Sequence, residues 1–167
     1  DYTDAQLNNF LTLADVMATG YHSAASAEVK EGDTVAVIGD GAVGLCGVIG
    51  ARLRGAKRII LMSHHEDRAK LGREFGATDI VSERGDDAIK KVMELTNGVG
   101  VDAVQECVGA VSAIEQAGKI ARPGAVIGRV GVPQTEPSSK TLFWKNIGLR
   151  GGIANVTAGE TQILGEV

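Results

Sequence analysis

The stretch Val35-Ala36-Val37-Ile38-Gly39-Asp40-Gly41-Ala42-Val43-Gly44 decides the fold. It starts inside a β-branched run, residues 34–38, that is too short for a helix and reads as a buried strand. It ends inside a helix-length segment, residues 42–54, that is apolar on nearly all faces and so should be central and covered. Between them lies the pattern Gly39-x-Gly41-x-x-Gly44. Alone, GxGxxG is weak; placed directly after a strand and opening a helix, it describes a phosphate-binding turn. The three glycines have separate tasks: Gly39 allows the tight turn, Gly41 lets a pyrophosphate approach the backbone, and Gly44 lets the helix pack close to the sheet. The N–H groups at the helix start, around Ala42 and Val43, and the helix dipole would stabilise phosphate charge. The alternative reading is a Gly-rich turn without a ligand. Gly47 and Gly50 lie later in the same helix, where each costs about 1 kcal/mol relative to Ala. Close packing against a strand is the expected compensation.

Outward from this point the pattern repeats. Residues 58–62 and 79–81 read as strands, with a helix over 66–75 between them that Gly76 ends. A helix over 86–96, a strand over 101–106, a helix over 111–121, a turn at Arg122-Pro123-Gly124 and a strand over 125–130 follow. Residues 147–151 are a further strand candidate, and two helical segments, 1–14 and 15–27, precede the first strand. Strand–helix alternation at these lengths implies βαβ units, hence an α/β fold with a doubly wound parallel sheet and helices on both faces.

Composition agrees with one such domain. Glycine supplies 23 of 167 residues, about twice the usual share. Apolar residues at 44% can offset chain entropy, which excludes a disordered tail, and there is no G-X-Y period. A formal charge of -4 argues against a nucleic-acid surface, which needs clustered Lys and Arg. No apolar stretch is long enough to span a bilayer, so no membrane role is expected. Cys46 and Cys107 sit in separate apolar runs, form no CxxC pair, and read as buried free thiols in a cytoplasmic setting. The chain reads as an internal piece of a larger protein: lead-in helices over 1–28, a dinucleotide-binding domain over 29–155 and a short C-terminal segment over 156–167.

A dinucleotide site usually carries Asp or Glu at the end of the second strand, to accept from the ribose 2′-OH. Here that position is Ser63, in Met62-Ser63-His64-His65-Glu66-Asp67-Arg68. Ser63 removes the anion that would repel a 2′-phosphate, and His64, His65 and Arg68 could supply donors to it. The balance leans towards NADP over NAD, modestly, since neutral His is a poorer phosphate partner than Arg. The alternative is that both histidines are solvated loop residues.

The chain resembles the medium-chain, zinc-dependent alcohol dehydrogenase family. The likeness rests on Asp15-Val16-Met17-Ala18-Thr19-Gly20-Tyr21-His22-Ser23-Ala24 leading into the residues from Val29 to Gly39. Phe75-Gly76-Ala77-Thr78-Asp79, Gly100-Val101-Asp102-Ala103-Val104, Arg122-Pro123-Gly124 and Val130-Gly131-Val132-Pro133 continue it in order across nearly the whole chain. The resemblance implies a Rossmann cofactor domain and several roles. Asp15 matches a ligand of the catalytic zinc, where the family has Cys or Asp; Thr19, one helical turn on, would lie near the nicotinamide. Ser63, His64, His65 and Arg68 would surround the adenosine ribose, and Cys107, Val108 and Gly109 would line the adenine side. Val130, Gly131, Val132 and Gly152 would meet the nicotinamide end, where Gly131 and Gly152 would leave room for the ring. Read from its own position alone, Asp15 is a helix N-cap, and His22 is a packed helix residue.

The family's other zinc ligands lie in a separate catalytic domain that this sequence lacks, and a lone carboxylate does not hold zinc. The implied parent enzyme passes hydride between a small alcohol or carbonyl and nicotinamide, while this chain is expected to bind cofactor without turnover. A zinc-free quinone oxidoreductase relative and a non-catalytic nucleotide-binding module are the alternatives. Homo-oligomers through the sheet edge, near Val130 and Ile147, are implied by the family and fit the pairing tendency of an uncovered edge.

Overall fold

The computed structural model describes residues 2–157; Asp1 and the last ten residues of the C-terminal segment lie outside the described residues. Six parallel strands form one sheet: β1 (Thr34–Ile38), β2 (Arg58–Met62), β3 (Asp79–Val81), β4 (Val101–Glu106), β5 (Ala121–Arg129) and β6 (Gly148–Gly151). Their order is β3-β2-β1-β4-β5-β6. The chain therefore leaves β1 towards one edge, then returns to β4 and builds towards the other. The two directions part between β1 and β4, which opens a crevice at the C-terminal ends of those strands.

Alternation along each strand builds two cores. Ala36, Ile38, Ile60, Met62, Val104 and Ile127 face one side, where they meet α5 (Gly85–Leu95) and α6 (Val111–Ile120). Val35, Val37, Ile59, Leu61 and Ala103 face the other, against α2 (Val16–Ser26) and α3 (Ala42–Leu53), with α4 (Glu66–Phe75) alongside. Each such Val, Ile or Leu, fully buried, contributes about 1.5–3 kcal/mol. Central strands covered on both faces have the continuous apolar runs that the sequence displays. The expected α/β doubly wound sheet is therefore the fold of this chain.

α2 and α3 approach so closely that glycine is needed on both. A Cβ on Gly20 would lie 2.5 Å from the Cys46 backbone carbon, and one on Gly50 would lie 2.9 Å from the Cα of Tyr21. A Cβ on Gly47 would lie 2.7 Å from Gln105 Oε1 on β4. The expected strand packing thus accounts for Gly47, whereas Gly50 is compensated by helix–helix contact. A buried polar bridge seals the same junction. The Ser23 hydroxyl donates to the Gly20 carbonyl at 2.7 Å and contacts Gln105 Oε1, while Gln105 Nε2 donates to the Gly47 carbonyl at 3.1 Å.

Three local readings change. β5 begins at Ala121, so Arg122-Pro123-Gly124 lies within the strand and is not a turn before it. The pairing register with β4 shifts between Val101 and Ala103, and Gly124 has φ +78°, so the proline falls at an irregularity where its missing N–H costs no ladder bond. Second, α7 (Ser139–Lys145) was not anticipated. Ser138 caps it, and the Lys145 ammonium donates to the carbonyls of Gly118, Lys119 and Ala121 at 3.0, 2.8 and 3.0 Å, fastening it to the end of α6. Third, the first helical segment divides into α1 (Asp4–Leu11) and a 3-10 turn, Thr12–Ala14.

Gly20→Ala is expected to lower stability by about 3 kcal/mol, because backbone rather than a flexible side chain blocks the new methyl. The urea unfolding midpoint reads this directly; an unchanged midpoint would contradict the close α2–α3 approach.

Candidate functional site

The turn after β1 is built from backbone. Gly39 has φ +109°, and a Cβ there would lie 2.8 Å from Val108 Cγ2. A Cβ on Gly44 would overlap the Gly39 carbonyl, so the close contact of Gly44 is with the turn itself. Gly41, at the N-cap position of α3, faces open space: a Cβ there would meet nothing within 4 Å, and no side chain caps the helix. The first N–H groups of a helix have no partner within it. Here they face outward from a position with room for a ligand, and such a helix start suits an anion.

Beside the turn lies a cleft of about 230 Å³, walled by Ile38, Met62, Val108 and Ala113 and edged by Ser112 and Gln116, with Asp40 and His64 at its rim. It occupies the β1/β4 crevice. A more open groove of about 840 Å³ runs along α4, past Glu66, Lys70 and Arg73, but includes no residue of the glycine turn.

Ser63, His65 and Arg68 converge, and what they converge on is Asp40. Ser63 Oγ donates to Asp40 Oδ2 at 2.8 Å, and His65 Nδ1 lies 2.8 Å from the same oxygen. A carboxylate only accepts, so this ring nitrogen carries the proton. Arg68 donates to Asp40 Oδ1 at 3.3 Å. Partial burial pushes the Asp40 pKa up, but the hydrogen bonds from His65 and Ser63, the His65 charge and the Arg68 bond outweigh it and hold the carboxyl at about 2. Asp40 is therefore an anion at any neutral or mildly acidic pH. His64 does not join the group; its Nδ1 donates to the Ser82 carbonyl at 2.8 Å.

A second charge pair braces the loops after β4 and β5. Glu106, fully buried, accepts from the N–H groups of Val108 and Gly109 at 2.8 and 2.7 Å through Oε1. Its Oε2 lies 3.4 Å from Nε of buried Arg129, directly across the β4–β5 ladder. Arg129 in turn donates to the Thr135 carbonyl at 2.7 Å. The two loops then interlock: a Cβ on Gly131 would overlap the Gly109 nitrogen, and one on Gly109 would overlap the Val132 carbonyl. Gly131 thus makes room for neighbouring backbone, which corrects the expectation that it leaves space for a ring. Val130 is half-buried, Val132 is exposed, and the Gly152 N–H donates to the Arg129 carbonyl at 2.8 Å, with open space around its Cα. Cys107 is directed away from the cleft, with Sγ 3.8 Å from Ser23 Oγ, and burial pushes its thiol up to about 12. Burial also raises the Cys46 thiol. Neither sulfur is a thiolate at neutral pH.

At the start of α2, the Thr19 hydroxyl donates to Asp15 Oδ1 at 2.9 Å. Asp15 holds the N-cap position but its side chain makes no capping bond. It is exposed, and among the described residues no group of three His, Cys, Asp or Glu side chains could hold a metal ion. The residues present therefore do not by themselves fit a zinc centre, which needs three protein ligands. His22 stays within its helix, Nε2 lying 3.3 Å from Ser26 Oγ.

Sequence reading missed Asp40, Glu106 and Arg129. Each left a signal: a carboxylate between two glycines of an apolar turn, and opposite charges closing two apolar strands. Their pairing depends on the parallel register and could not be read from either segment alone.

A family model described as zinc-binding dehydrogenase matches residues 42–162. The NADP-dependent isopropanol dehydrogenase of Clostridium beijerinckii is 40% identical over 127 residues, covering 76% of this chain and 36% of that protein. The chain thus spans about a third of the length of such relatives. Among solved structures, the alcohol dehydrogenase TADH from Thermus sp. ATN1 matches with a TM-score of 0.82 at 30% identity, over 92% of this chain and 45% of that one. A putative zinc-binding dehydrogenase from Sinorhizobium meliloti 1021, bound to NADP, matches with a TM-score of 0.74 at 25% identity, over 93% of this chain and 48% of that one.

Arg129→Ala strands the Glu106 charge in the core and is expected to cost about 3–5 kcal/mol. The double change Glu106→Gln with Arg129→Met should recover more than half of that loss in chemical denaturation. A double variant no more stable than Arg129→Ala would show that the pair is not the brace.

Proposed function

Because the chain belongs to the zinc-binding dehydrogenase family, we propose that it is the dinucleotide-binding domain of an NAD(P)-dependent alcohol dehydrogenase. The observation that carries this is the α3 start, with no side-chain cap and open space at Gly41, beside the cleft at the β1/β4 crevice. The N–H groups from Gly41 to Gly44 would hold the pyrophosphate. Ile38, Met62 and Val108 would sandwich the adenine, with Gly109 closing the loop behind it. Ser63, His65 and Arg68 would reach the adenosine ribose, with His64 at its edge. Val130, Gly131, Val132 and Gly152 would border the nicotinamide end. NADP is the preferred cofactor and NAD the other; three donors near the ribose and the NADP named for the relatives above support this.

Bound nicotinamide supplies one piece of chemistry, exchange of a hydride with a small alcohol or carbonyl substrate. The chain's own residues bind and orient. Thr19, whose hydroxyl donates to Asp15 Oδ1, would lie near the nicotinamide. Asp15 would contribute one ligand to a zinc site completed by residues outside this chain. Its presence favours the zinc enzymes over zinc-free quinone oxidoreductases. Alone, the chain would act as a nucleotide-binding module without turnover, residues 1–28 joining it to a catalytic domain and residues 29–155 holding the cofactor.

The parent protein would work in the cytoplasm as a homo-oligomer joined through the sheet edge at β6; Phe143 and Trp144 of α7, the helix that precedes it in the chain, are largely exposed. No nucleic-acid or membrane partner is proposed; among the described residues no helix is long and apolar enough to cross a membrane.

Nicotinamide fluorescence titration tests this reading. NADPH is expected to bind saturably and more tightly than NADH, and Arg68→Ala should weaken NADPH by about tenfold while leaving NADH within about threefold. Absence of saturable binding of either nucleotide would overturn it.

A further inference from the structure

The three donors that would recognise a 2′-phosphate are already engaged by an anion of the chain itself. Asp40 Oδ2 takes Ser63 and His65, both at 2.8 Å, and Oδ1 takes Arg68 at 3.3 Å. Two carboxylate oxygens thus sit where a phosphate's oxygens would have to arrive. Among the described residues, the side-chain partners of Asp40 are these three donors. It does not cap α3, whose N-cap is Gly41 with no side-chain bond. Its side chain is only 12% exposed, at the rim of the cleft beside Met62 and His64. The other acids nearby, Glu66 and Asp67, point into solvent from the first turn of α4. Asp40 is therefore the one carboxylate of this region held against the donor set.

Resting on the dinucleotide reading above, we infer that Asp40 is a specificity-determining residue that holds back selection of the 2′-phosphorylated cofactor from inside the glycine turn. The carboxylate that many dinucleotide sites place at the end of the second strand is here supplied from the first turn, through space, and Ser63 at the strand end serves as its anchor. Two consequences follow from electrostatics. A cofactor with a free 2′-OH meets an acceptor, Asp40, whose position is fixed by three donors. A cofactor with a 2′-phosphate must draw His65 and Arg68 away from Asp40 and then tolerate a carboxylate within a few ångströms, where like charges disfavour one another. The chain thus accepts both cofactors, with its preference for NADP compressed. The donors set the sign of the preference and Asp40 limits its size.

The test compares the protein with its Asp40→Asn and Asp40→Ala variants, titrated with NADPH and with NADH at constant ionic strength, with thermal melts confirming that each variant folds. Asparagine keeps the shape and one acceptor while removing the charge; alanine frees the donors altogether. The NADPH-to-NADH affinity ratio is expected to rise about tenfold or more in both, mainly through tighter NADPH. A ratio that is unchanged or lower in a folded variant overturns the inference. Failure of the unaltered protein to bind either cofactor overturns the dinucleotide reading instead, so the two are separable. If one variant fails to fold, the other decides.

Discussion

The carbonyl of Gly39 lies against the Cα of Gly44, so close that a methyl at residue 44 would overlap it. This contact turns β1 sharply into α3 and fixes where the helix starts. From there α3 lies across β1 and β4, glycines on its inner side let α2 close over it, and the Ser23–Gln105–Gly47 bridge locks the three together. The helix start is left without a side-chain cap, with open space at Gly41. A larger residue at position 44 would unseat the turn, the helix register and the site in one step, because each is positioned by the same backbone approach.

Charge organises what the backbone contact leaves open. On one flank Asp40 gathers Ser63, His65 and Arg68 from the end of β2 and the start of α4. On the other, Glu106 and Arg129 hold the loops after β4 and β5 in register, and Glu106 also accepts the N–H groups that begin the Val108 loop. In the first group the His65 and Arg68 side chains are about half exposed. The second is desolvated, so removing either member is costly. The cleft is thus bounded by one group of partly exposed charges and one buried pair.

Much of the fold was legible because strand length, alternation and glycine placement are local properties. The runs at 34–38, 58–62 and 101–106 name themselves, and Gly76 ends its helix with a φ of +121° that few other residues would adopt. What escaped was non-local. Arg122-Pro123-Gly124 looks like a turn in isolation and becomes strand only because β4 shifts register opposite it. α7 owes its place to Lys145 reaching three carbonyls at the end of α6. Ser63, His65 and Arg68 stand out locally as donors, whereas Asp40 carries no local signal of the company it keeps. Its meaning depends on the fold bringing Ser63 and His65 to it across more than twenty positions of sequence.

The proposed dinucleotide would lie across the glycine turn with its adenosine in the β1/β4 crevice. Amide chemical-shift mapping of the isotopically labelled protein during NADPH addition tests this most directly. The largest shifts are expected at residues 40–44, 63–68 and 108–109, with those in α7 and β6 small. Shifts centred on α7 and β6, or absent from residues 40–44, would contradict it.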